Sequence, residues 1–183
     1  MIDPAWCRTW ENDVAPARHA ALAAMLARAY PRAADLFAGQ HSWSGARPEL
    51  RLVGTTPDGP VAHAGIIRRF LRTNETEVLV ADVGLVAVDP SRQGAGTGGA
   101  LLAHLTTTVH DLGVPFGFLT CLPDVVGFYR RGGWVLLEDT TVRSIGIDQV
   151  PERSNGPAMV LPAAAAMSDW PGGPVLERHG QEI

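Results

Sequence analysis

Cysteine is scarce in this sequence, with only Cys7 and Cys121 among 183 residues. Two cysteines this far apart exclude a disulfide framework and a cysteine-based zinc site, and they favour a reducing, cytoplasmic setting. The histidines show no metal-ligand spacing, so no metal is predicted. No apolar run approaches the ~20 residues that a membrane span requires, and no signal-peptide pattern opens the chain.

An excess of positive charge is missing as well. The chain has 15 Lys and Arg against 19 Asp and Glu, and its net charge is −4. Nucleic acid and an anionic membrane surface are therefore not expected as partners. Hydrophobic residues make up 46% of the sequence, which suits one domain, residues 1–183, with a substantial core.

The most informative stretch runs from Val80 to Leu102. An apolar strand pattern ends at Pro90, and an apolar helix pattern begins near Gly98 and ends before Gly113, a typical left-handed cap. Between them, residues 93–99 offer backbone N–H groups with few bulky side chains. Such groups at the positive end of a helix dipole favour binding of a diphosphate.

Two glycine motifs compete for this loop. Gly94, Gly96 and Gly99 satisfy the G-x-G-x-x-G pattern of dinucleotide-binding proteins. That fingerprint needs its turn directly at the strand end and an acidic residue about 20 positions later, and neither is present. A nicotinamide-binding protein is therefore disfavoured.

The other pattern is Gln93-x-x-Gly96-x-Gly98, preceded by Val88-x-Pro90. It resembles the acyl-CoA pyrophosphate loop of the GNAT N-acyltransferases. The resemblance implies an α/β (α+β) fold, with a mixed, mostly antiparallel sheet, splayed central strands and flanking helices. A glycine turn with only a packing role is the alternative. The positions implied for acyl-CoA are Val86, Ala87, Val88, Gln93, Gly94, Ala95, Gly96, Thr97, Gly98 and Gly99.

A second block, Pro123–Trp134, is similar to the short helix of that family that ends in Tyr-x-x-x-Gly-aromatic. The resemblance implies that the Tyr129 hydroxyl lies near the CoA sulfur and returns a proton to the leaving thiolate. The alternative is that Tyr129 is an amphipathic packing residue.

Asp82 is the candidate base. It precedes Val88 by six residues, so in a regular strand both side chains lie on one face. An ordinary Asp is a weak base, so this role requires desolvation or a water relay. An acid at the edge of the strand, without a catalytic role, is the alternative.

Several further stretches resemble the nodulation N-acyltransferase (NodA-like) family: Ser42–Glu49, Leu112–Phe118 and Ser168–Pro171. The aminoglycoside 2′-N-acetyltransferases are also similar, around Ala62–Ala64 and Asp169–Trp170. Both relatives acylate amino sugars, which implies a small-molecule amine acceptor here. The residues assigned to it are Trp43, His63, Asp169 and Trp170, although a lone His in a strand is more often a hydrogen-bonded core residue.

Some alternatives stay open at this point. The acceptor could instead be an amino acid or a protein N-terminus, and the chain could be a non-catalytic acyl-CoA-binding module. The length of the acyl chain is also open. So is the choice between a role in biosynthesis and one in resistance, and between a monomer and a homodimer.

The expected order of elements is simple. Asp13 is expected to cap the first helix. Three strands are expected to form an antiparallel meander before the central loop. Residues 158–183 are expected to form a C-terminal strand and tail. The other elements expected are a strand at Trp6–Trp10, a helix to Ala29, a loop at 37–48, strands at Glu49–Gly54, Val61–Phe70 and Glu77–Val88, parallel strands at Val114–Thr120 and Trp134–Leu137, an extension of the latter to Arg143, a linker at Pro151–Pro157 and a last strand at Met159–Leu161.

Overall fold

A computed structural model describes residues 2–183. Residues 2–183 form three α-helices and ten strands. The helices are α1 (Pro16–Ala29), α2 (Thr97–Asp111) and α3 (Val126–Arg130). The strands are β1 (Ala5–Trp10), β2 (Leu50–Thr56), β3 (Gly59–Thr73), β4 (Thr76–Val88), β5 (Phe116–Thr120), β6 (Val135–Leu137), β7 (Thr141–Ile145), β8 (Pro151–Ser154), β9 (Ala158–Pro162) and β10 (Val175–Arg178).

These elements divide into two compact units, which are described separately. Unit 1 contains the chain up to Ile67, then Leu85–Leu105 and Ile183. Unit 2 contains Arg68–Gly84 and Thr106–Glu182. The strands β3 and β4 and the helix α2 each contribute residues to both units.

Unit 1 holds the N-terminal strands and the start of α2. Strand β1 pairs antiparallel with β2, and β2 pairs antiparallel with β3. Pro16 occupies the first turn of α1, where its missing N–H costs nothing. The apolar spacing of α1 buries one face, and that face joins a core whose buried members are Ala23, Met25, Leu26, Phe37, Leu85, Ala87 and Ile183.

Unit 2 holds the remaining strands, and the order of the sheet is β6-β9-β5-β4-β3-β10-β7-β8. The strand β5 runs parallel to β4 through Val80–Asp82, as expected after a helical crossover. The β8 strand lies at one end of this order, and all four of its residues are exposed. The core of the unit consists of Leu71, Val78, Val80, Phe116, Phe118, Val142, Ala158, Val160, Trp170 and Leu176.

Most predicted elements are confirmed within a few residues. The helix over 98–112 is α2, and Gly113 follows it with φ of 67°. The Pro57–Gly59 turn joins β2 to β3, as turn-forming residues predict. Of residues 37–48, the first four lie in a 3₁₀ segment, Pro31–Gln40, and the rest are irregular.

Five predictions about the elements were wrong. Asp13 does not cap α1, because it closes a 3₁₀ turn and Ala15 takes the cap position. The strand over 135–137 is antiparallel to β9 rather than parallel, and it does not continue to Arg143 because the chain turns at Asp139, whose φ is 50°. The expected linker contains β8, and β10 follows the strand that was predicted to be last.

Within the described range, 2–183, no helix is both long enough and apolar enough to cross a bilayer.

Candidate active site

The exit of β4 is held by a buried carboxylate in unit 1. Asp89 accepts hydrogen bonds from the Ser91 backbone N–H at 3.0 Å and from the Arg28 guanidinium at 2.7 and 2.9 Å. These bonds outweigh the effect of burial and keep the pKa of Asp89 below its usual value. The turn from β4 into the glycine loop is therefore fixed by a charged group at neutral pH.

The glycine loop has the backbone that an anion cradle needs. Gly94 and Gly96 have φ of 73° and 81°, a region that L side chains avoid, and a Cβ on either would meet open space. The Gly96 carbonyl accepts the first bond of α2 from the Ala100 N–H at 3.1 Å. Gln93 is exposed and donates its Nε2 to the Val88 carbonyl at 3.2 Å. The open loop thus leads directly into the positive end of α2.

Strand β4 is irregular just before this loop. Leu85 has φ of 50°, which a non-glycine residue rarely adopts in a strand. The next carbonyl, of Val86, accepts a hydrogen bond from the Tyr30 hydroxyl at 2.7 Å. Regular alternation of side chains therefore ends at Leu85, and the argument that Asp82 shares a face with Val88 does not hold.

Asp82 lies in unit 2 among two arginines. Its Oδ2 is 3.1 Å from Nε of Arg178 and 3.2 Å from Nε of Arg69, and its Oδ1 accepts from Nη2 of Arg178 at 3.3 Å. Burial raises the pKa of the Asp82 carboxyl and the two guanidinium groups oppose it, with a net rise. Arg178 also contacts Glu182 at 3.4 Å and lies over the Phe118 ring. Asp82 is thus a buried counter-ion, not an acid at an exposed edge.

Tyr129 is also in unit 2, on the short helix α3. Its ring packs edge-on against Phe128 and Trp134, with centroids 5.1 and 6.0 Å away. The backbone N–H groups of Gly132 and Trp134 both donate to its carbonyl, at 2.8 and 3.3 Å. The predicted Tyr-to-Trp block therefore forms a compact turn that fixes the position of Tyr129.

His63 lies in the core of unit 1, where none of its surface is exposed. Its Nδ1 donates to the Leu85 carbonyl at 2.9 Å, so its Nε2 is the nitrogen that accepts from Nη1 of Arg51 at 3.1 Å. Burial lowers the pKa of His63 to about 3, so the ring is neutral. Both nitrogens are engaged, and this placement supports a core role instead of the predicted contact with the acceptor.

Arg51 is the centre of a network that sequence analysis missed. It is fully buried, binds Glu11 through Nε at 2.5 Å and Nη2 at 3.0 Å, and donates to the Ser42 carbonyl at 2.8 Å. Arg47, half exposed, binds the same Glu11 carboxylate. Burial raises the pKa of Glu11, but the hydrogen bonds from the two arginines outweigh it and the pKa lies below its usual value.

His19 and Trp43 are partly exposed side chains of unit 1 that lie beside this network. Nδ1 of His19 lies 2.7 Å from Oγ of Ser42, and its Nε2 is 4.0 Å from Glu11 and 3.4 Å from Arg47. The Trp43 ring lies 5.9 Å from His19 and 4.5 Å from the Arg47 guanidinium. The only sequence signal for this group was the Ser42–Glu49 resemblance, and nothing marked His19.

Two predicted acceptor residues in unit 2 have local roles. Trp170 packs edge-on against Phe116 within the core of unit 2, and the two ring centroids are 5.1 Å apart. This placement supports a core role for Trp170 instead of the predicted contact with the acceptor. Asp169 is exposed, and its carboxylate accepts from the Ala166 N–H at 3.2 Å, closing its own 3₁₀ turn.

The predicted site residues thus separate between the units. The glycine loop, Val86–Val88, Trp43 and His63 belong to unit 1, whereas Asp82, Tyr129, Asp169 and Trp170 belong to unit 2. Within residues 2–183, no group of three or more His, Cys, Asp or Glu side chains is arranged to hold a metal ion.

Comparison with known proteins gives two findings. The family model "Nodulation protein A (NodA)" matches residues 2–183. The chain is 36% identical to nodulation protein A of Rhizobium tropici, over 97% of both chains, and 35% identical to that of Bradyrhizobium elkanii, over 97% of this chain and 91% of the relative.

Solved structures show the same fold at low identity. The GNAT family N-acetyltransferase YhbS of Escherichia coli, determined in complex with CoA, is 18% identical with a TM-score of 0.61, over 98% of this chain and 93% of its own. Escherichia coli ElaA is 16% identical with a TM-score of 0.60, over 86% and 99%. The predicted fold class, a mixed sheet flanked by helices, is confirmed by these matches.

Proposed function

Since the chain belongs to the nodulation protein A (NodA) family and is an N-acyltransferase with the GNAT fold, we propose that it transfers an acyl group from acyl-CoA to the primary amine of an amino sugar. The observation that carries this proposal is the loop Gln93–Gly99. Its left-handed Gly94 and Gly96 open onto the N-terminus of α2, where a diphosphate is stabilised.

The donor follows from that loop. The backbone amides from Gln93 to Gly99 bind the CoA diphosphate, and the main chain of Val86–Val88 binds the pantetheine arm as an added strand would. Support comes from the CoA complex of the Escherichia coli neighbour, whose fold this chain shares. Acetyl-CoA and longer acyl-CoA are both compatible with these backbone contacts.

The chemistry is direct attack of the amine on the thioester. An ammonium group loses one proton, its nitrogen forms a bond to the acyl carbon, and the C–S bond breaks with the electron pair leaving on sulfur. As the tetrahedral intermediate collapses, Tyr129 donates a proton to that thiolate. The nitrogen releases its second proton, which restores the tyrosine through solvent, and the products are the amide and free CoA. The compact turn that fixes Tyr129 supports this role because a general acid must be held in place.

Asp82 is one candidate for the group that takes the amine proton. Its raised pKa favours the role. Two guanidinium groups within 3.2 Å of its Oδ2 oppose the role, since they stabilise the carboxylate over its protonated form. These contacts support a structural counter-ion, and the Asp82→Asn variant discussed below separates the two roles.

The acceptor class rests on the family. The nodulation relatives span nearly the whole chain, and within the Ser42–Glu49 stretch that resembles them, Trp43 and the half-exposed Arg47 form the outer side of the Glu11 network. A carboxylate beside an aromatic ring suits a cationic amine carried on a sugar. Trp43 supplies this surface, whereas Trp170 is used in the core.

One experiment tests donor and acceptor together. The purified protein is incubated with acetyl-CoA or a long-chain acyl-CoA and with glucosamine, alanine or a tripeptide with a free N-terminus, and thiol release and product mass are measured. N-acylated glucosamine is expected. Thiol release with alanine or the tripeptide alone would refute the amino sugar but retain acyl transfer. Tight CoA binding without thiol release on any amine would favour a non-catalytic module.

A further inference from the structure

The half-exposed Arg47 side chain occupies a site built for a cation. Its guanidinium lies 4.5 Å from the Trp43 ring centre, and it binds the Glu11 carboxylate. Its Nη2 lies 3.4 Å from Nε2 of His19. An aromatic face, a carboxylate and a nitrogen lone pair are the contacts that an ammonium group prefers.

The protonation of His19 follows from its neighbours. A guanidinium can only donate, so Nε2 of the neutral ring faces Arg47 with its lone pair and Nδ1 carries the proton that it donates to Ser42. Ser42 is fully buried, which excludes it as a nucleophile and leaves it to orient the ring. The lone pair of His19 therefore points towards the half-exposed Arg47 side chain.

A continuous chain of contacts ties His19 to strand β4. Ser42, which bonds His19, offers its carbonyl to Arg51 at 2.8 Å; Arg51 meets His63 at 3.1 Å; and His63 donates to the Leu85 carbonyl at 2.9 Å. Leu85 immediately precedes the segment proposed to bind pantetheine. The cation site is thus connected through hydrogen bonds to the strand of the proposed donor site, within unit 1.

Resting on the proposed function, we propose that Nε2 of His19 is the general base that takes the proton from the acceptor ammonium, which binds where the Arg47 guanidinium now lies. The proton moves from the ammonium nitrogen to Nε2, and the freed lone pair attacks the thioester carbon. Glu11, 4.0 Å away, stabilises the resulting imidazolium. Ser42 fixes the ring during the transfer.

The charged groups around His19 suit this task. Three charged side chains influence the pKa of His19. Glu11 does so from the 3₁₀ turn at Glu11–Asp13, Arg47 from the loop before β2, and Arg51 from β2. Burial and the two arginines lower the pKa of His19, while Glu11 raises it, and the net direction is downward from 6.5. His19 is therefore neutral at pH 7 and able to accept a proton.

The test is the pH profile of His19→Gln with acetyl-CoA and glucosamine. At pH 7 its kcat/KM should fall by about 10²- to 10⁴-fold, the range for loss of a general base. The loss should shrink by about tenfold per pH unit towards the pKa of the acceptor amine, which then deprotonates unaided. CoA affinity by calorimetry should stay within a few-fold, and the matched control His110→Gln, at an exposed site on α2, should match the wild type.

A second variant addresses the site itself. Arg47→Gln removes a positive charge from beside Nε2, so the acid limb of kcat/KM should move to higher pH, a shift that a purely structural histidine would not produce. A His19→Gln loss that is equal at all pH values, or an unchanged rate, would overturn the assignment of His19 alone. A wild type that acylates none of the amines tested would overturn the proposed function together with this inference.

Discussion

Nε of Arg178 lies 3.1 Å from Oδ2 of Asp82, and only 1% of either side chain is exposed. Arg69 contacts the same oxygen from β3 at 3.2 Å, and Arg178 reaches Glu182 near the C-terminus. The carboxylate therefore connects β4, β3 and β10 in unit 2. Its removal would leave the partly buried Arg69 without this carboxylate, and the buried Arg178 would keep its contact with the exposed Glu182.

For Asp82→Asn we expect a loss of about 3–5 kcal/mol in the free energy of unfolding, because breaking a buried ion pair leaves uncompensated charge. Denaturant titration at pH 7 measures it. Asp124→Asn, which neutralises an exposed acid in the same unit, should lie within about 0.5 kcal/mol of the wild type. Unchanged stability with activity displaced to high pH would instead identify Asp82 as the base.

Gly96→Val should weaken CoA binding at least about tenfold, since valine resists the φ of 81° and its branched side chain would enter the space proposed for the diphosphate. Isothermal calorimetry measures the affinity. Gly39→Val is the matched control: Gly39 has φ of 64° and open space around its Cβ position, but it lies outside the loop. If both variants bind CoA as the wild type does, the loop does not hold the diphosphate.

Tyr129→Phe should lower kcat by about 10²- to 10⁴-fold, while the KM for acyl-CoA stays within a few-fold, because the hydroxyl is needed only as the thiolate leaves. Steady-state kinetics over a pH series separates the two parameters. A wild-type kcat throughout would show that Tyr129 only packs and that solvent protonates the thiolate.

Acid should destabilise the protein partly through Glu11. Because its pKa in the folded chain lies below the ordinary 4.5, ionised Glu11 stabilises the fold above pH 4.5, and this contribution is lost as the pH falls from 4.5 through the folded-state pKa. Urea titrations from pH 6 to pH 3 should show a smaller acid-dependent loss for Glu11→Gln than for the wild type. The control Asp58→Asn, an exposed turn residue, should keep the wild-type slope. Equal slopes for Glu11→Gln and the wild type would show that Glu11 does not contribute to the loss of stability in acid.

Local patterns were enough to predict the centre of the chain. The strand, the glycine loop and helix α2 follow from short-range rules about Pro90, the glycines and the apolar spacing, and the parallel β5 follows from the helical crossover. The sequence analysis missed the strands β7, β8 and β10. They are short, their solvent-facing residues are mostly polar, and their pairing depends on partners that are distant in sequence.

The side chains of the candidate site were harder to predict for the same reason. Arg51 and Arg178 are buried only because Glu11 and Asp82, 40 and 96 residues away, neutralise them, and an isolated arginine in a strand gives no sign of such a partner. Asp82 was placed beside Val88 by regular alternation. The left-handed Leu85 between them cancels that rule, and nothing in its sequence context predicts a positive φ.

Strand β8 is an edge strand, since it ends the sheet order and no strand within residues 2–183 pairs with its outer side. The unpaired N–H and C=O groups of an edge strand can pair with strands of other molecules, which leads to aggregation. Here the strand is four residues long, its first residue is Pro151, which has no N–H to offer, and Glu152 and Arg153 place charges along it. This edge strand therefore disfavours edge-to-edge association between molecules. Replacing Pro151, Glu152 and Arg153 with valine would remove that protection and promote aggregation.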